Sequence, residues 1–303
     1  MKIGITGASG MLGTALLSLL SKSHEVFATS RNKGLEEKNI KWDCFDLTDF
    51  ELLNTWLKKI KPDLVINCAA IVNVDFCEEN ISLATALHVE ATKVIANYIN
   101  ITKGRLIYIS TDSVFDGKKL GYYRETDPVN PLNVYAKTKL MGERFVQSTE
   151  GGLVLRTNII GWKNKDDTSF VEWILEGLIN NTTLNLFYDV YFSPLTVEEL
   201  SLIIKKIIDN PIFGIYHCGS SDSISKYEFG KKMAEIFKLS CHNINKVSVD
   251  TMKFKATRPK NMALDNSKIN SDLVYEYSNV QNSIKLIKNR YDENLKNFKK
   301  SKD

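Results

Sequence analysis

Lys2-Ile3-Gly4-Ile5-Thr6-Gly7-Ala8-Ser9-Gly10-Met11-Leu12-Gly13 opens the 303-residue chain, and its reading decides the fold. Lys2 to Thr6 is a short apolar run of the kind that forms a buried strand. Met11, Leu12, Leu16, Leu19 and Leu20 then recur every three to four residues, the period of an amphipathic helix. Between them lies GxxGxxG. Gly7 permits a tight turn, Gly10 lets backbone approach a pyrophosphate without a Cβ, and Gly13 lets helix and strand pack closely. The helix start turns unpaired N–H groups toward anionic oxygens. Strand, glycine loop and helix in that order predict a dinucleotide site formed by Gly7, Ser9, Gly10, Met11, Leu12 and Gly13.

Apolar runs at Glu25 to Thr29, Leu64 to Asn67 and Arg105 to Ile109 repeat the strand signal. Helical periods at Phe50 to Ile60, Ile81 to Ile99 and Pro131 to Gln147 separate them. The alternation predicts an α/β fold, a Rossmann-like doubly wound parallel sheet. After Gly151-Gly152 and a strand Leu153 to Arg156 the alternation turns irregular, with helical stretches near Ser169 to Ile179, Val197 to Ile208 and Lys226 to Phe237. We therefore expect residues 1–157, with part of 186–212, to form the nucleotide-binding domain. Residues 158–185 and 213–290 should form a smaller α/β substrate-binding lobe, followed by a basic, frayed tail at 291–303. A crevice between lobes is where such folds bind ligands.

Composition sets outer bounds. With 43% hydrophobic and 25% charged residues the chain is ordinary globular protein. Forty Lys plus Arg against 36 Asp plus Glu leaves +4, too diffuse for a nucleic-acid groove. No apolar run is long enough for a membrane span or a leader peptide, and five cysteines without CxxC pairing read as reduced thiols. A cytoplasmic protein, monomer or homodimer, is expected. His24 and His88 lack companions at metal-ligand spacing, so no metal is expected.

After the second strand, where an acid usually takes the ribose 2′-hydroxyl in NAD-preferring folds, stands Thr29-Ser30-Arg31-Asn32. Ser30 and Arg31 are donors suited to a 2′-phosphate, which favours NADPH, with NADH also usable. Asp46 and Leu47 are placed to meet the adenine, while Asp49 reads equally as a helix N-cap.

Ser110-Thr111-Asp112 ends the strand that begins at Arg105, and Tyr135-Ala136-Lys137-Thr138-Lys139 lies on the next predicted helix. Tyr135 and Lys139 are four residues apart and share one helical face. A phenol titrating near 10 is a slow acid until a cation stabilises its phenolate, a role open to Lys139. Thr111 can hydrogen-bond the same substrate oxygen, and the three together suit a carbonyl that receives hydride.

These motifs, with Asn67-Cys68-Ala69-Ala70, Ser110 through Gly117, and Ala256-Thr257-Arg258-Pro259-Lys260-Asn261-Met262-Ala263-Leu264-Asp265, resemble the extended short-chain dehydrogenase/reductases, and among them the dTDP-4-dehydrorhamnose reductase family. The resemblance spans nearly the whole chain, and Gly214-Ile215-Tyr216-His217 looks like part of that family's sugar-nucleotide lobe. It implies hydride delivery from NAD(P)H to the 4-keto carbon of a nucleotide-linked 6-deoxyhexose. Tyr135 would be the proton donor, Lys139 would hold the nicotinamide ribose, and Thr111 would orient the keto oxygen. Cys68, Ala69 and Ala70 would pass beside the cofactor, and Arg258 and Lys260 would meet the diphosphate. Departures fall around the sugar pocket. Ser113 replaces an aromatic, Ile71-Val72 replaces an aromatic-Thr pair, and Trp162 either serves the pocket from a shifted position or packs. Ala15 stands where metal-bridged dimers carry an acid, so a magnesium-linked dimer is not carried over.

Two other readings share these residues. One is a sugar-nucleotide epimerase or dehydratase retaining NAD, which the missing acid after the second strand counts against. The other is a cofactor-binding regulatory subunit resembling the methionine adenosyltransferase β subunit.

Overall fold

The computed structural model describes residues 1–35, 37–163 and 168–300, with side chains through 294. The β-strands Lys2–Thr6 (β1), Glu25–Ser30 (β2), Ile40–Cys44 (β3), Leu64–Asn67 (β4), Arg105–Thr111 (β5) and Gly152–Thr157 (β6) join Gly214–Cys218 in a seven-stranded sheet. Every pairing in it is parallel, and the order is 214–218, β6, β5, β4, β1, β2, β3. The order reverses beside β1, between β2 and β4, where a doubly wound sheet opens its crevice. The α/β Rossmann-like class expected from the alternation is the class observed.

Helices cover both faces. Leu12, Leu16, Leu17 and Leu20 of α1 (Met11–Leu20) share a core with Leu200, Ile203, Ile204 and Ile207 of the helix Val197–Asp209. On the opposite face, Leu53, Trp56 and Leu57 of α2 (Phe50–Ile60) pack with Ile95 and Ile99. Asp49 caps α2 by accepting from Leu52 N–H at 3.0 Å. The single helix expected over Ile81 to Ile99 is divided: α3 (Val74–Glu79) and α4 (Ile81–Thr85) lead into a π-helical turn, Ala86–Glu90, before α5 (Ala91–Thr102). That wide turn carries the buried His88. Further on, α6 (Val134–Gln147) starts three residues later than Pro131, because Asn133 caps it through Ala136 N–H at 2.9 Å.

The second lobe gathers short pieces. Tyr191–Phe192 pairs with both Ile224–Ser225 and Asn261–Met262, and Leu184–Phe187 pairs with Ile244–Val247. Val171, Ile174, Phe192, Phe229 and Met233 fill its core. Gly214–Cys218, expected in this lobe from its family likeness, instead extends the main sheet beside β6. Its backbone continues the parallel ladder, Gly214 opposite Leu153 through Cys218 opposite Thr157. The helix Val280–Lys300 runs through 291–300, with buried Val280, Ile284 and Ile287 packed at its start. Residues 301–303 lie outside the described residues, as do the side chains of Lys296, Lys299 and Lys300.

Candidate active site

The glycine loop has the geometry its residue types require. Gly7 sits at φ +62°, and a Cβ there would come within 2.7 Å of Ala69 backbone. At Gly13 a Cβ would lie 2.5 Å from the Gly7 carbonyl. Gly10 is exposed, donates to the Gly7 carbonyl at 2.9 Å, and leaves the α1 terminus without a side-chain cap. The first N–H groups of α1, from Met11, Leu12 and Gly13, are thus uncapped beside half-buried Ser9, while the Leu12 side chain turns into the core. An open, Cβ-free cradle at a helix N-terminus fits a pyrophosphate.

Beside it, Asn67 is 2% exposed and organises the adjoining loop. Its Oδ1 accepts from Thr6 Oγ1 at 2.7 Å and Ala69 N at 3.3 Å, and its Nδ2 donates to Thr92 at 3.1 Å. Cys68, Ala69 and Ala70 are thereby held against the glycine turn, and burial pushes the Cys68 thiol up to about 12, so it remains a neutral packing group.

Arg31 is exposed at the end of β2, but the Ser30 hydroxyl, expected to join it as a donor, is spent on the Asn32 carbonyl. Asp46 is exposed, and its carboxyl is held below the usual range mainly by the Thr48 N–H it accepts at 2.9 Å. Leu47 is turned inward to pack with Leu53 and Trp56.

At the carboxyl end of β5 the expected catalytic residues converge. Thr111 stands beside the Tyr135 phenol. It donates to Asp112 Oδ1 at 3.1 Å and accepts from Ser113 N. Burial holds Tyr135 well above the ordinary phenol range, with the Thr111 hydrogen bond opposing. Tyr135 therefore carries its proton at neutral pH. Lys139, 1% exposed, donates to the Ile109 carbonyl at 2.6 Å, with Nζ 4.0 Å from the Tyr108 ring centroid. Desolvation brings its ammonium down to about 7. The arrangement differs from the expected one: the Lys139 charge is anchored on a main-chain carbonyl, and burial outweighs any cationic pull on Tyr135.

Behind them, Glu143 receives Arg156 through Nη2 at 2.7 Å and Ser110 at 2.5 Å, a buried pair that ties α6 to β5 and β6. His88 is 0% exposed. Its Nε2 accepts from Ile71 N at 2.9 Å, its Nδ1 lies 2.8 Å from Thr138 Oγ1, and its ring meets Tyr135 edge-on.

On the sugar side the expected residues divide. Ser113 reaches across to Met262 Sδ at 3.6 Å and to Asp112 at 3.2 Å. Trp162 packs: its Nε1 donates to Ile287 O at 3.3 Å and its ring stacks on Tyr291. Arg258 gives Nη2 to Asp75 at 2.9 Å, while its buried Nη1 has no hydrogen-bond partner among the described residues. Such a donor is costly unless a ligand oxygen meets it. Lys260 is unsuited to the diphosphate role, because its ammonium is committed to Asp250 and Asp189. Two residues the sequence reading left out of the site also stand here. Asn158 donates to Asp112 Oδ2 at 2.7 Å, and Lys226 brings a charge that bears on Asp112. Asn158 lies in the Asn158-to-Trp162 stretch that departs from the family's pattern, and Lys226 carried no motif signal, being a lysine opening an ordinary amphipathic helix.

Comparison with known proteins agrees with this architecture. The family model for the RmlD substrate binding domain matches residues 1–293. The chain is 30% identical to the probable low-salt glycan biosynthesis reductase of Haloferax volcanii, covering 89% of this chain and 91% of that one. It is 33% identical to methionine adenosyltransferase 2 subunit beta of Xenopus laevis, over 88% of this chain and 80% of that one. A dTDP-4-dehydrorhamnose reductase from Bacillus anthracis, solved in complex with NADP, superposes with a TM-score of 0.81 at 25% identity, covering 94% of this chain and 98% of that one. With its sheet, glycine cradle and Thr111–Tyr135–Lys139 cluster in place, the chain belongs to the RmlD substrate-binding family and has the fold of its NAD(P)-dependent sugar-nucleotide reductases.

Proposed function

We propose that the protein reduces the 4-keto group of a nucleotide-linked 6-deoxy sugar, as a dTDP-4-dehydrorhamnose reductase does, using NADPH. The carrying observation is the protonated, half-buried Tyr135 beside Thr111 at the carboxyl end of β5, on the same edge of the sheet as the glycine cradle. When bound, the cofactor supplies the hydride for the carbonyl carbon. Tyr135 passes its phenolic proton to the carbonyl oxygen, so the ketone becomes an alcohol and Tyr135 a phenolate. Thr111 holds that oxygen in register, and its own bond to Asp112 limits the directions its hydroxyl can take. Lys139 stiffens the β5–α6 junction and would hold the nicotinamide ribose. Gly7, Gly10 and the α1 N–H groups would take the pyrophosphate, Arg31 the 2′-phosphate, and Arg258 Nη1 a diphosphate oxygen of the substrate.

The test is loss of nicotinamide absorbance from NADPH with dTDP-4-dehydrorhamnose, run beside NADH and beside Tyr135→Phe. Turnover is expected to fall roughly 100- to 10,000-fold in the variant, with NADPH binding retained. A second reading, a cofactor-binding subunit of a larger assembly, draws on the 33% identity to the methionine adenosyltransferase subunit. NADPH binding without turnover of any keto sugar would favour it.

A further inference from the structure

Lys226 is the first residue of the helix Lys226–Phe237, directly after its Ser225 cap, and Phe192, whose ring it lies over, pairs in register with Met262, whose Sδ is 3.6 Å from Ser113 Oγ just beyond the end of β5. Its Nζ lies 3.2 Å from the Phe192 ring centroid and 4.4 Å from that of Phe170. Its backbone N–H donates to the Val190 carbonyl at 3.0 Å, but its ammonium has no hydrogen bond or ion pair with any described residue. An ammonium is compact and strongly hydrated, with three donors to satisfy. Two aromatic faces stabilise its charge but accept none of its protons in a directed bond. Desolvation accordingly draws it down to about 7, against the opposing pull of Asp112.

Asp112 explains why a cation is stationed there. It is 1% exposed, burial raises its carboxyl, and Thr111, Ser113 and Asn158 all donate to it. Lys226 offsets that buried charge at a distance. Its own donors are satisfied by none of the described residues. Half-exposed Phe170 adds an aromatic surface of the kind that packs against the C–H face of a pyranose. A cation beside an aromatic face, with its field on the residue next to Thr111, suits a sugar ring.

We infer that Lys226 is a specificity-determining residue, its ammonium donating to a hydroxyl oxygen of the hexose beside the reacting carbonyl. This rests on the reductase reading above. It replaces Lys260 as the lysine of the substrate site and separates recognition of the sugar from recognition of its diphosphate, which falls to Arg258.

The experiment titrates dTDP and dTDP-rhamnose by calorimetry into NADPH-loaded wild type, Lys226→Met and Lys226→Arg, with steady-state kinetics alongside. Lys226→Met keeps the apolar stem and removes the charge. We expect it to weaken dTDP-rhamnose on the order of 10- to 100-fold, the usual effect of losing a charged hydrogen bond. KM for the keto sugar should rise in parallel, kcat and dTDP affinity should stay close to wild type, and Lys226→Arg should recover part of the loss. Unchanged dTDP-rhamnose affinity overturns the inference. So does an equal loss for dTDP alone, which would move the contact to the diphosphate, and so does a fall in kcat with KM unchanged. If Lys226→Met yields no folded protein, Lys226→Gln, a neutral donor, is titrated in its place against the same outcomes. Wild type that binds no dTDP-linked sugar overturns the reductase reading and this inference together, whereas wild-type binding with an unaffected variant overturns the inference alone.

Discussion

The glycine loop and the second lobe's cleft wall are built on opposite plans. Gly7, Gly10 and Gly13 lie within one turn and one helix, so the cradle follows from local backbone geometry. The wall draws Tyr191–Phe192, Ile224–Ser225 and Asn261–Met262 into one small sheet, with Lys226 directly after its edge strand Ile224–Ser225. Residues far apart in the chain become neighbours there only because Phe192, Phe229 and Met233 share a core. A site part that binds an invariant group can be local. One that selects a particular ring is assembled at long range, where a change in packing alters its shape.

The largest test of that contrast is Phe192→Ala. Phe192 is 0% exposed and packs edge-on against Phe170 and Phe229. Its loss should cost about 3–5 kcal/mol, seen as a lower melting temperature, while NADPH titration continues to report a formed cradle. Loss of NADPH binding together with the wall would mean that the lobes unfold as one and would break the comparison. In the other direction, Gly7→Val forces a β-branched residue into φ +62° with its Cβ 2.7 Å from Ala69 backbone. A cost of about 3 kcal/mol is expected, with NADPH affinity falling further than dTDP affinity.

A pH series sharpens the contrast more gently. Burial holds His88 down to about 3, so as pH falls below 6.5 the unfolded chain takes up a proton that the folded one refuses. The stability is intact above pH 6.5 and drains away between there and about 3. Roughly 2 kcal/mol should be lost by pH 5. His217, on the edge strand and also lowered to about 3 by burial, adds a similar loss. Melts of wild type and His88→Asn at pH 7 and pH 5 check this, and an unchanged difference between the two pH values in the variant would contradict it. The smallest effect is expected at exposed Arg31. Arg31→Ala should shift the NADPH-to-NADH affinity ratio by about tenfold, read by parallel titrations.

Much of the nucleotide half was legible in the sequence, because a buried parallel strand writes a continuous apolar run and a crossover helix writes a 3.6-residue period. Tyr135 and Lys139 were legible for the same reason, since an i to i+4 pair shares a helical face whatever surrounds it. Other features left no local mark. The edge strand Gly214–Cys218 is as apolar as a strand of either lobe, and only its ladder with β6 assigns it. The division of Ile81 to Ile99 by a π turn is imposed by the seat His88 finds against Ile71 and Thr138. Ser30 and Leu47 looked like cofactor ligands by position, and one nearby carbonyl and one core contact redirected them.

By itself the sequence determined where the backbone turns, which helix faces the sheet, and which residues stand at the strand ends, because each depends on residues a few positions apart. Only the tertiary structure decided which cation serves which role. Arg258, Lys260 and Lys226 are equivalent charges in the chain, and partners brought in from elsewhere distinguish them. Asp75 takes one Arg258 nitrogen and leaves another without a partner among the described residues, Asp189 and Asp250 pair with Lys260, and two aromatic rings hold Lys226. A charge's function depends on its solvation and its nearest opposite charge, and both are properties of the fold.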